Sequence, residues 1–313
     1  MSHIDISIIT PCFNEELTVR ECAERVMSVM KVKLPDVSYE HIFADNASTD
    51  KTVSILRALA NHDSRIKVVV NSRNIGASRN IYRALFRASG KAIVPMLPAD
   101  LQDPAEIIPE FYAKWIQGSL VVYGQRINRQ ESFILRTLRS FYYKMIQRFS
   151  DANIPLNAGE FMLIDRQVAQ SIMKLDEKNP YVRGLVAQTG VRSSFVPYTW
   201  LKRELGKSKS TPFVLIDTAI NGLVSTSRLP ARFALLTGFL FSGIGILLSI
   251  YTLLATLFLG STSASGIPTI VTVLFFMCGV QLFFLGLIGE YVLSIHGATR
   301  PEPSAFDVEV INL

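Results

Sequence analysis

A cluster of oxygen-bearing side chains ends one of the apolar runs of this chain. The segment reads Pro95-Met-Leu-Pro-Ala-Asp100-Leu-Gln102-Asp103-Pro104. Hard divalent cations prefer carboxylate and amide oxygens as ligands, and α/β sheets bind ligands beyond the carboxyl ends of their strands. Asp100 and Gln102 therefore indicate a place for a metal-held phosphate. Asp103 has a simpler alternative, because it fits the N-cap of a helix with Pro104 at its first position.

The elements that must position this cluster are strand-length apolar runs that alternate with helical patterns. The runs cover residues 6–10, 41–45, 66–70, 92–97 and 120–123. This alternation predicts an α/β domain with a mainly parallel sheet. Polar clusters follow the ends of the first four runs, at residues 11–16, 45–50, 73–76 and 100–103. Because the carboxyl ends of parallel strands meet at one edge, we expect a single shared crevice.

Several enzyme classes lack their motifs in this chain. No Gly-x-Gly-x-x-Gly follows the first strand, which argues against a dinucleotide dehydrogenase. Gly206-Lys207-Ser208 resembles the end of a Walker loop, but Leu201 replaces the earlier glycine of that motif. Hydrolase motifs of the types His-Glu-x-x-His and Gly-x-Ser-x-Gly are also missing. Cys12, Cys22 and Cys278 lack metal-ligand spacing, so we expect ordinary reduced thiols.

Two long apolar segments predict a membrane hairpin. Residues 233–259 contain no charged residue, and residues 267–293 nearly repeat the pattern, with Glu290 near the end. A helix of this length extends about 40 Å and can cross a hydrocarbon core of about 30 Å. Arg228 and Arg232 precede the first segment and Arg300 follows the second, which places both ends in the cytoplasm. Buried core helices are the alternative, and the length of the segments argues against them.

A basic amphipathic segment lies upstream of the hairpin, at residues 132–149. Apolar residues recur there at helical spacing with Arg136, Arg139, Lys144 and Arg148 between them. This pattern is typical of a helix in the membrane interface, and an amphipathic helix packed on a protein core is an equal alternative. The net charge of +6 therefore favours anionic lipid over nucleic acid as a partner. No cationic leader with a long apolar core begins the chain, so we expect a cytoplasmic N-terminal domain.

Seven short motifs together resemble a known family. They are Pro11-Cys-Phe13-Asn14-Glu15-Glu16, Phe43-Ala-Asp45-Asn-Ala-Ser48-Thr-Asp50, Arg73-Asn74-Ile-Gly76, Ala99-Asp100-Leu-Gln102-Asp103-Pro104, Gly124-Gln-Arg126, Ala158-Gly159-Glu160-Phe161 and Arg203-x-x-Gly206-x-Ser208-Lys209. In order and spacing they resemble the family 2 inverting glycosyltransferases. With two C-terminal spans, the chain resembles the bacterial polyisoprenyl-phosphate glycosyltransferases, which are related to dolichyl-phosphate mannose synthase. The resemblance covers nearly the whole chain.

The resemblance implies a fold and a division of the chain. The expected fold is α/β, with a GT-A (Rossmann-like), mainly parallel sheet domain and a C-terminal two-helix transmembrane hairpin. Residues 1–130 would form the nucleotide-sugar-binding core and residues 131–231 an acceptor region with amphipathic interface helices. Residues 232–313 would hold two transmembrane helices and a cytoplasmic tail. The expected location is the cell inner membrane, with the catalytic domain in the cytoplasm.

The resemblance also assigns the donor site. It implies that Pro11, Phe13, Glu15 and Asp45 hold the nucleoside and that Arg73 helps to hold the phosphates. As alternatives from the residues alone, Pro11 and Phe13 shape a turn, and Asp45 caps the next helix. Asp50 has the same capping alternative.

For the metal, the resemblance implies Mg²⁺ or Mn²⁺ ligated by Asp100 and Gln102. Two positions depart from the family pattern. Pro98 replaces the first Asp of the usual Asp-x-Asp, which shifts ligation onto Asp100, Gln102 and the diphosphate. Asn157 stands where an Asp often lies, and Glu160 replaces the Asp of the usual Gly-Asp-Phe but keeps the carboxylate.

The acceptor implied by the resemblance is a lipid monophosphate. With a second pKa of about 6, such a phosphate is mostly dianionic at neutral pH and needs positioning by cations more than a strong base. The expected catalytic residues are Asp100, Arg126, Glu160, Arg203 and Lys209. The expected ligands of the acceptor phosphate are Arg126, Arg136, Arg139, Arg203, Ser208 and Lys209.

These expectations define an enzyme that transfers glucose from UDP-glucose to undecaprenyl or another polyprenyl phosphate with inversion, in cell envelope glycosylation. One alternative is a GDP-mannose-dependent mannosyltransferase. Another is a non-catalytic, nucleotide-sugar-binding membrane scaffold, which Pro98 and Asn157 suggest. A processive synthase is disfavoured because no Gln-x-x-Arg-Trp occurs. The expected partners are the nucleotide sugar, the lipid phosphate and the membrane, with a homo-oligomer left open.

Overall fold

The computed structural model describes residues 4–127, 158–175, 177–178, 180–200, 267–299 and 305–313, with individual positions between 236 and 258. By its internal contacts the chain forms two units, which we describe separately. The first contains Met1–Gln147, Asp151–Leu215 and Pro301–Leu313, and the second contains Arg148–Ser150 and Ile216–Arg300. The division into three domains that the sequence suggested stays a prediction.

Strands and helices alternate through the first half of the chain, as the apolar pattern predicts. The elements are β1 (Ile6–Cys12), α1 (Val19–Lys33), β2 (Tyr39–Asp45), α2 (Thr52–His62), β3 (Ile66–Asn71), α3 (Ala77–Leu85), β4 (Ala92–Val94), a 3₁₀ turn (Ala105–Ile107), α4 (Ile108–Ile116) and β5 (Val121–Ile127). Strands β1 and β2 are buried on both sides, as expected for strands inside a sheet that helices cover. Helix α1 buries Cys22, Val26 and Met30 along one face, because these residues recur at helical spacing.

The later elements complete the same sheet. They are β6 (Ala158–Asp165), α5 (Arg166–Met173), α6 (Val182–Gln188), β7 (Ser193–Thr199), α7 (Ile267–Thr299) and β8 (Asp307–Ile311). All except α7 belong to the first unit.

The sheet has the strand order β7-β5-β6-β4-β1-β2-β3-β8. Strands β1 to β4 pair in parallel, and so do β5 and β7. Strand β6 lies antiparallel between β4 and β5, and β8 lies antiparallel along β3. The predicted α/β class is therefore confirmed, and the sheet is mixed because β6 and β8 enter it from later parts of the chain.

The two faces of the sheet carry separate cores. Ile9, Ile42 and Met162 belong to the core shared with α3, α5 and α6. Ile8 and Phe161 belong to the core shared with α1 and α4. Neighbours on a strand fall into different cores because successive side chains point to opposite faces.

Helix α7 carries the membrane signal of the second unit. Its segment Phe276–Gly297 is long and apolar enough to cross a bilayer, and side chains such as Leu282, Phe283 and Leu285 are well exposed. In the part of the chain that the structure describes, one helix meets this test. The shorter apolar helix Leu236–Gly245 lies in the first predicted span, so the hairpin itself stays a prediction. The predicted interface helix at residues 132–149 lies outside the described residues.

Candidate functional site

The parallel strands bring three polar loops to one edge of the sheet. Strands β1 and β2 run in register to their ends, where Cys12 pairs with Asp45. Beyond them, the N–H of Asn46 donates to the carbonyl of Cys12 at 2.8 Å. On the other side of β1, the N–H of Leu97 donates to the carbonyl of Ile9 at 2.8 Å. The segments after β1, β2 and β4 are thus neighbours at the edge where the sequence predicts a crevice.

The loops after β1 and β2 bind each other through side chains. The N–H of Asn14 donates to Ser48 Oγ at 2.9 Å, and Asn14 Oδ1 accepts from the N–H of Thr49 at 2.8 Å. The N–H of Glu15 donates to Thr52 Oγ1 at 2.9 Å. These bonds hold the two loops against each other before any ligand arrives. The edge is therefore preorganised, which lowers the entropy cost of binding.

Asp45 is fully buried and supports this loop pair. Its carboxylate accepts from the N–H of Ser48 at 2.8 Å and from Ser48 Oγ at 2.5 Å. Burial raises the pKa of Asp45, and the bonds from Ser48 oppose that rise. Asp50 plays a similar role, because it accepts from the N–H groups of Glu16 and Thr52. A carboxylate has about four lone-pair positions, so these bonds leave Asp45 the capacity to accept from a nucleobase. That role stays a prediction.

Pro11, Phe13 and Glu15 lie at the end of β1 and in the loop after it, and β1 pairs with the strand that ends at Asp45. All three are partly buried, and Pro11 pairs with Ala44 of β2. The Glu15 carboxylate accepts from Thr18 Oγ1 at 3.4 Å, a weak contact at the start of α1.

The Arg73 loop adjoins the same edge. Asn46 Nδ2 donates to Asn74 Oδ1 at 2.9 Å, and Asn46 Oδ1 accepts from the N–H of Ile75 at 3.0 Å. Gly76 has φ of 85°, a conformation that favours glycine, and it leads directly into α3. Arg73 is exposed. The structure thus joins the segment after Arg73 to the loop that follows Asp45. The role of Arg73 at the phosphates stays a prediction.

Three loop residues hold unusual backbone conformations. Among the described residues, the non-glycine positions with positive φ are Asn14, Ala47, Leu101 and Asn312. The first three lie in the loops after β1, β2 and β4. Such conformations cost about 1–3 kcal/mol each and cluster at binding and catalytic sites. Sequence reasoning missed Ala47 and Leu101, because neither residue type signals a left-handed backbone.

The segment after β4 holds the predicted metal ligands. Asp100 is partly exposed, and its Oδ1 accepts from the N–H of Gln102 at 3.2 Å. The predicted N-cap role of Asp103 is wrong, because the 3₁₀ turn has no side-chain cap bond and Asp103 is buried against other partners. Arg126 and Tyr198 bind both oxygens of Asp103 more strongly than helix N–H groups would.

Asp103, Arg126 and Tyr198 form a buried polar network. The guanidinium of Arg126 donates to Asp103 through Nη2 at 2.8 Å and through Nε at 3.2 Å. Nε also lies 3.0 Å from the hydroxyl of Tyr198, which itself donates to Asp103. The ring of Trp200 lies 5.1 Å from the guanidinium carbon. Burial opposes the charge of Arg126, but Asp103 and Tyr198 outweigh it and raise the pKa of the guanidinium. This network therefore joins residues 100–103, which we call the metal segment because they include the predicted metal ligands, to β5 and β7.

Gly159 packs closely against this arrangement. A Cβ at that position would lie 3.3 Å from the guanidinium of Arg126, so the guanidinium would have to shift by a few tenths of an ångström. The backbone of β6 at Gly159 thus lies directly against the guanidinium of Arg126. The role of Arg126 as an acceptor-phosphate ligand stays a prediction, and the geometry assigns it a positioning role as well.

Glu160 lies near the start of β6, at the same edge of the sheet. It shares a face with Met162, which packs in the core with Val182 of α6. Burial raises the pKa of Glu160, and the charges of Arg183 and Arg126 oppose that rise. Sequence reasoning missed Arg183, because it belongs to no recognisable motif. The packing of α6 brings its charge near Glu160.

The donor set of the metal segment fits a cation shared with a substrate. Across the part of the chain that the structure describes, no group of three or more His, Cys, Asp or Glu side chains could hold a metal ion. The carboxylate of Asp103 accepts from Arg126, so the ligands to consider are the predicted ones, the carboxylate of Asp100 and the amide of Gln102. Mg²⁺ is commonly bound through one or two carboxylates plus substrate phosphates, so this set is sufficient in chemical type.

The remaining predicted site residues lie outside the described residues. They are Arg136, Arg139, Arg203, Ser208 and Lys209, together with Asn157 of the departing motif. Their predicted roles at the acceptor phosphate stay predictions.

Comparison with known proteins places these features in a family. The model of "Glycosyl transferase family 2" matches residues 7–173. An uncharacterized glycosyltransferase of Bacillus subtilis, YkcC, is 35% identical over 96% of this chain and 92% of its own length. The bactoprenol glucosyl transferase of Shigella phage SfV is 31% identical over 95% of this chain and 96% of its own length. An uncharacterized glycosyltransferase of Synechocystis, sll0501, is 33% identical over 96% and 93%. Both the loop motifs and these matches lead to one conclusion: the chain belongs to glycosyl transferase family 2 and is a glycosyltransferase.

Proposed function

We propose that this enzyme transfers glucose from UDP-glucose to undecaprenyl or another polyprenyl phosphate at the cytoplasmic face of a membrane. The observation that carries the proposal is the 31% identity to a protein named bactoprenol glucosyl transferase, over 95% of this chain and 96% of that protein. A match over both full lengths includes the apolar C-terminal part, which a soluble transferase does not need.

The donor would bind at the loops after β1, β2 and β3. Asp45 would accept from an N–H of the base, while Pro11 and Phe13 would pack against the nucleoside and Glu15 would border it. Arg73 would contact the diphosphate. The mutual bonds of these loops support this role, because a preorganised site loses less conformational entropy when the donor binds.

Asp100 and Gln102 would hold a divalent cation, Mg²⁺ or Mn²⁺, that offsets the charge of the diphosphate as the nucleotide leaves. The Asp103–Arg126 ion pair would keep the Asp100 segment in place during this step. Because Arg126 is already neutralised by Asp103, its main contribution would be positional.

The reaction would be a single in-line displacement. An oxygen of the acceptor phosphate attacks the anomeric carbon, a new carbon–oxygen bond forms, and the bond from that carbon to the diphosphate breaks to release UDP. The phosphate is already an anion, so cations that hold it beside the sugar supply more of the catalysis than a base does. Arg203 and Lys209 are the cations we propose for this, with the hydroxyl of Ser208 as a further ligand and with Arg136 and Arg139 at the membrane side. The carboxylate of Glu160 would border the sugar.

The position of β8 in the sheet supports a hairpin in the membrane. Only residues 300–306 separate the end of α7 from β8, and seven residues extend at most about 25 Å. Such a segment cannot re-cross a core of about 30 Å, since only helices and closed barrels span it. Strand β8 pairs with β3 of the N-terminal domain, so the chain would cross an even number of times. If α7 crosses once, the apolar run at residues 233–259 would supply the other crossing.

A donor screen tests the proposal. The full-length protein in detergent would be incubated with Mg²⁺, undecaprenyl phosphate and radiolabelled UDP-glucose, GDP-mannose or other common nucleotide sugars, and label would be counted in the chloroform phase. We expect lipid-linked glucose from UDP-glucose. Preferential transfer from GDP-mannose would favour the mannosyltransferase alternative. Binding of UDP without transfer from any donor would favour the non-catalytic scaffold and overturn the proposal.

A further inference from the structure

The C-terminal strand β8 contacts the support of the donor site, although it follows the membrane segment in sequence. It pairs antiparallel with β3 from Val68 to Asn71. Beyond the end of β3, the N–H of Ser72 donates to the carbonyl of Phe306 at 2.9 Å, and Ser72 Oγ accepts from the N–H of Phe306 at 3.2 Å. The residue after Ser72 is Arg73, the predicted phosphate ligand.

A second set of contacts joins the same tail to helix α3. Asp307 accepts from Arg83 Nη2 at 2.8 Å and also from Arg87. Arg83 donates in addition to the carbonyl of Ala305. The side chain of Asp307 is 10% exposed, while those of Arg83 and Arg87 are 32% and 47% exposed. The tail therefore pairs a largely buried carboxylate with Arg83 of α3 and with Arg87, which follows the helix.

Residues 72–76, which we call the donor loop, lie between these two anchors. The loop starts at Ser72, which Phe306 holds, and ends at Gly76, where α3 begins. Asn80 of α3 extends the connection inward, because it accepts from Asn71 Nδ2 at 2.7 Å and donates to the carbonyl of Ala44 at 2.7 Å. Ala44 immediately precedes Asp45. A shift of α3 would therefore displace both the donor loop and the end of β2.

We propose that strand β8 is a positioning element of the donor site, so that the affinity for the nucleotide sugar depends on the contacts of Asp307 with α3. This inference rests on the proposed function. Physically, an exposed loop gains affinity when its two ends are fixed before the ligand arrives. The tail bonds Ser72 at one end of the loop, and it bonds Arg83 of α3, the helix that begins at the other end.

The chain offers a matched control on the same strand. Glu309 forms a bidentate ion pair with Arg57 of α2 at 2.7 and 2.8 Å, and this pair does not touch the donor loop or α3. Asp307→Ala and Glu309→Ala thus remove the same chemical group from β8, with different neighbours. Asp307→Glu serves as the conservative variant.

The experiment measures steady-state transfer by the full-length enzyme in detergent, with varied UDP-glucose at saturating lipid phosphate. For Asp307→Ala we expect the KM for the donor to rise about fivefold, as for loss of a partly exposed ion pair, with kcat within about twofold. Glu309→Ala should leave that KM within about twofold, and Asp307→Glu should recover most of the loss. Should Asp307→Ala fail to fold, Ser72→Ala removes one of the anchoring bonds and should raise the KM about twofold.

An unchanged KM in Asp307→Ala, or an equal rise in Glu309→Ala, would overturn the inference, because the strand would then stabilise the domain without serving the donor loop. Failure of the proposed function looks different: the wild-type protein itself would transfer no glucose. Calorimetric titration with UDP and Mg²⁺ then still tests the donor loop, and a fivefold weaker binding in Asp307→Ala is again the expected result.

Discussion

Removal of the Asp103 carboxylate is the sharpest test of how the metal segment is held. Asp103→Ala leaves Arg126 charged, with its side chain 19% exposed, and deprives it of contacts at 2.8 and 3.2 Å. Breaking a buried pair by removing one partner costs about 3–5 kcal/mol. Because the guanidinium keeps some contact with water and with the ring of Trp200, we take the lower value, about 3 kcal/mol.

That loss should be visible in thermal unfolding. For a domain of this size, 1 kcal/mol corresponds to about 2–4 °C, so Asp103→Ala should lower the Tm by about 6–12 °C. Its kcat should fall by about 100-fold, because Asp100 lies three residues away and small displacements of a catalytic group cost that much. Tyr198→Phe is the control: it removes one hydroxyl, keeps the ion pair, and should lower the Tm by about 2–4 °C.

The assay combines differential scanning fluorimetry of the detergent-solubilised protein with initial rates of transfer to the lipid. A Tm of Asp103→Ala within 2 °C of the wild type, together with an unchanged kcat, would refute the reasoning, since Arg126 would then have another counter-charge. A large fall in Tm with an unchanged kcat would separate stability from positioning and refute only the second.

Two further predictions concern buried ionisable groups. His41 is buried in β2, with its Nε2 2.8 Å from Thr10 Oγ1. Burial lowers the pKa of His41 to about 3, so the unfolded chain binds a proton at a higher pH than the folded one, and the stability should fall by about 2 kcal/mol between pH 7 and pH 5. His41→Gln, which can still bond Thr10, should show a smaller fall in Tm over that range, and an equal fall would contradict the assignment. Burial raises the pKa of Glu160, so its charged form destabilises the fold and the carboxylate takes up a proton at a higher pH than usual. Glu160→Gln should therefore reduce kcat about 100-fold at pH 8 without lowering the Tm. A wild-type kcat in this variant would exclude a catalytic role for Glu160.

The order of strands and helices in the first half of the chain could be predicted from sequence because each element there packs with its neighbours in the chain. The apolar runs at Ile6, Ile42 and Val68 became parallel strands, and the polar residues after them came to one edge. The sequence predicts only a cytoplasmic tail where β8 lies, although polar and apolar residues alternate there, because its partner β3 lies more than 200 residues earlier. Pairing at such distance leaves no local signal.

The candidate site divides in the same way. The motif residues Asp45, Arg73 and Asp100 could be proposed from sequence because each lies at the end of a strand or in the segment that follows one. The Asp103–Arg126 pair could not, because a good helix-capping position and a buried ion pair use the same residue type, and the choice depends on β5 and β7. Arg183 could not be predicted for the same reason, since only the packing of α6 beside β6 brings it near Glu160.

The most direct test of the central claim is metal-dependent transfer of labelled glucose from UDP-glucose into undecaprenyl phosphate, measured for the wild type, for Asp100→Ala and for the exposed control Asp36→Ala. We predict lipid-linked glucose from the wild type and from Asp36→Ala at similar rates, and a loss of about 100-fold or more in Asp100→Ala. Full activity of Asp100→Ala, or no lipid-linked sugar from the wild type with any nucleotide sugar, would contradict it.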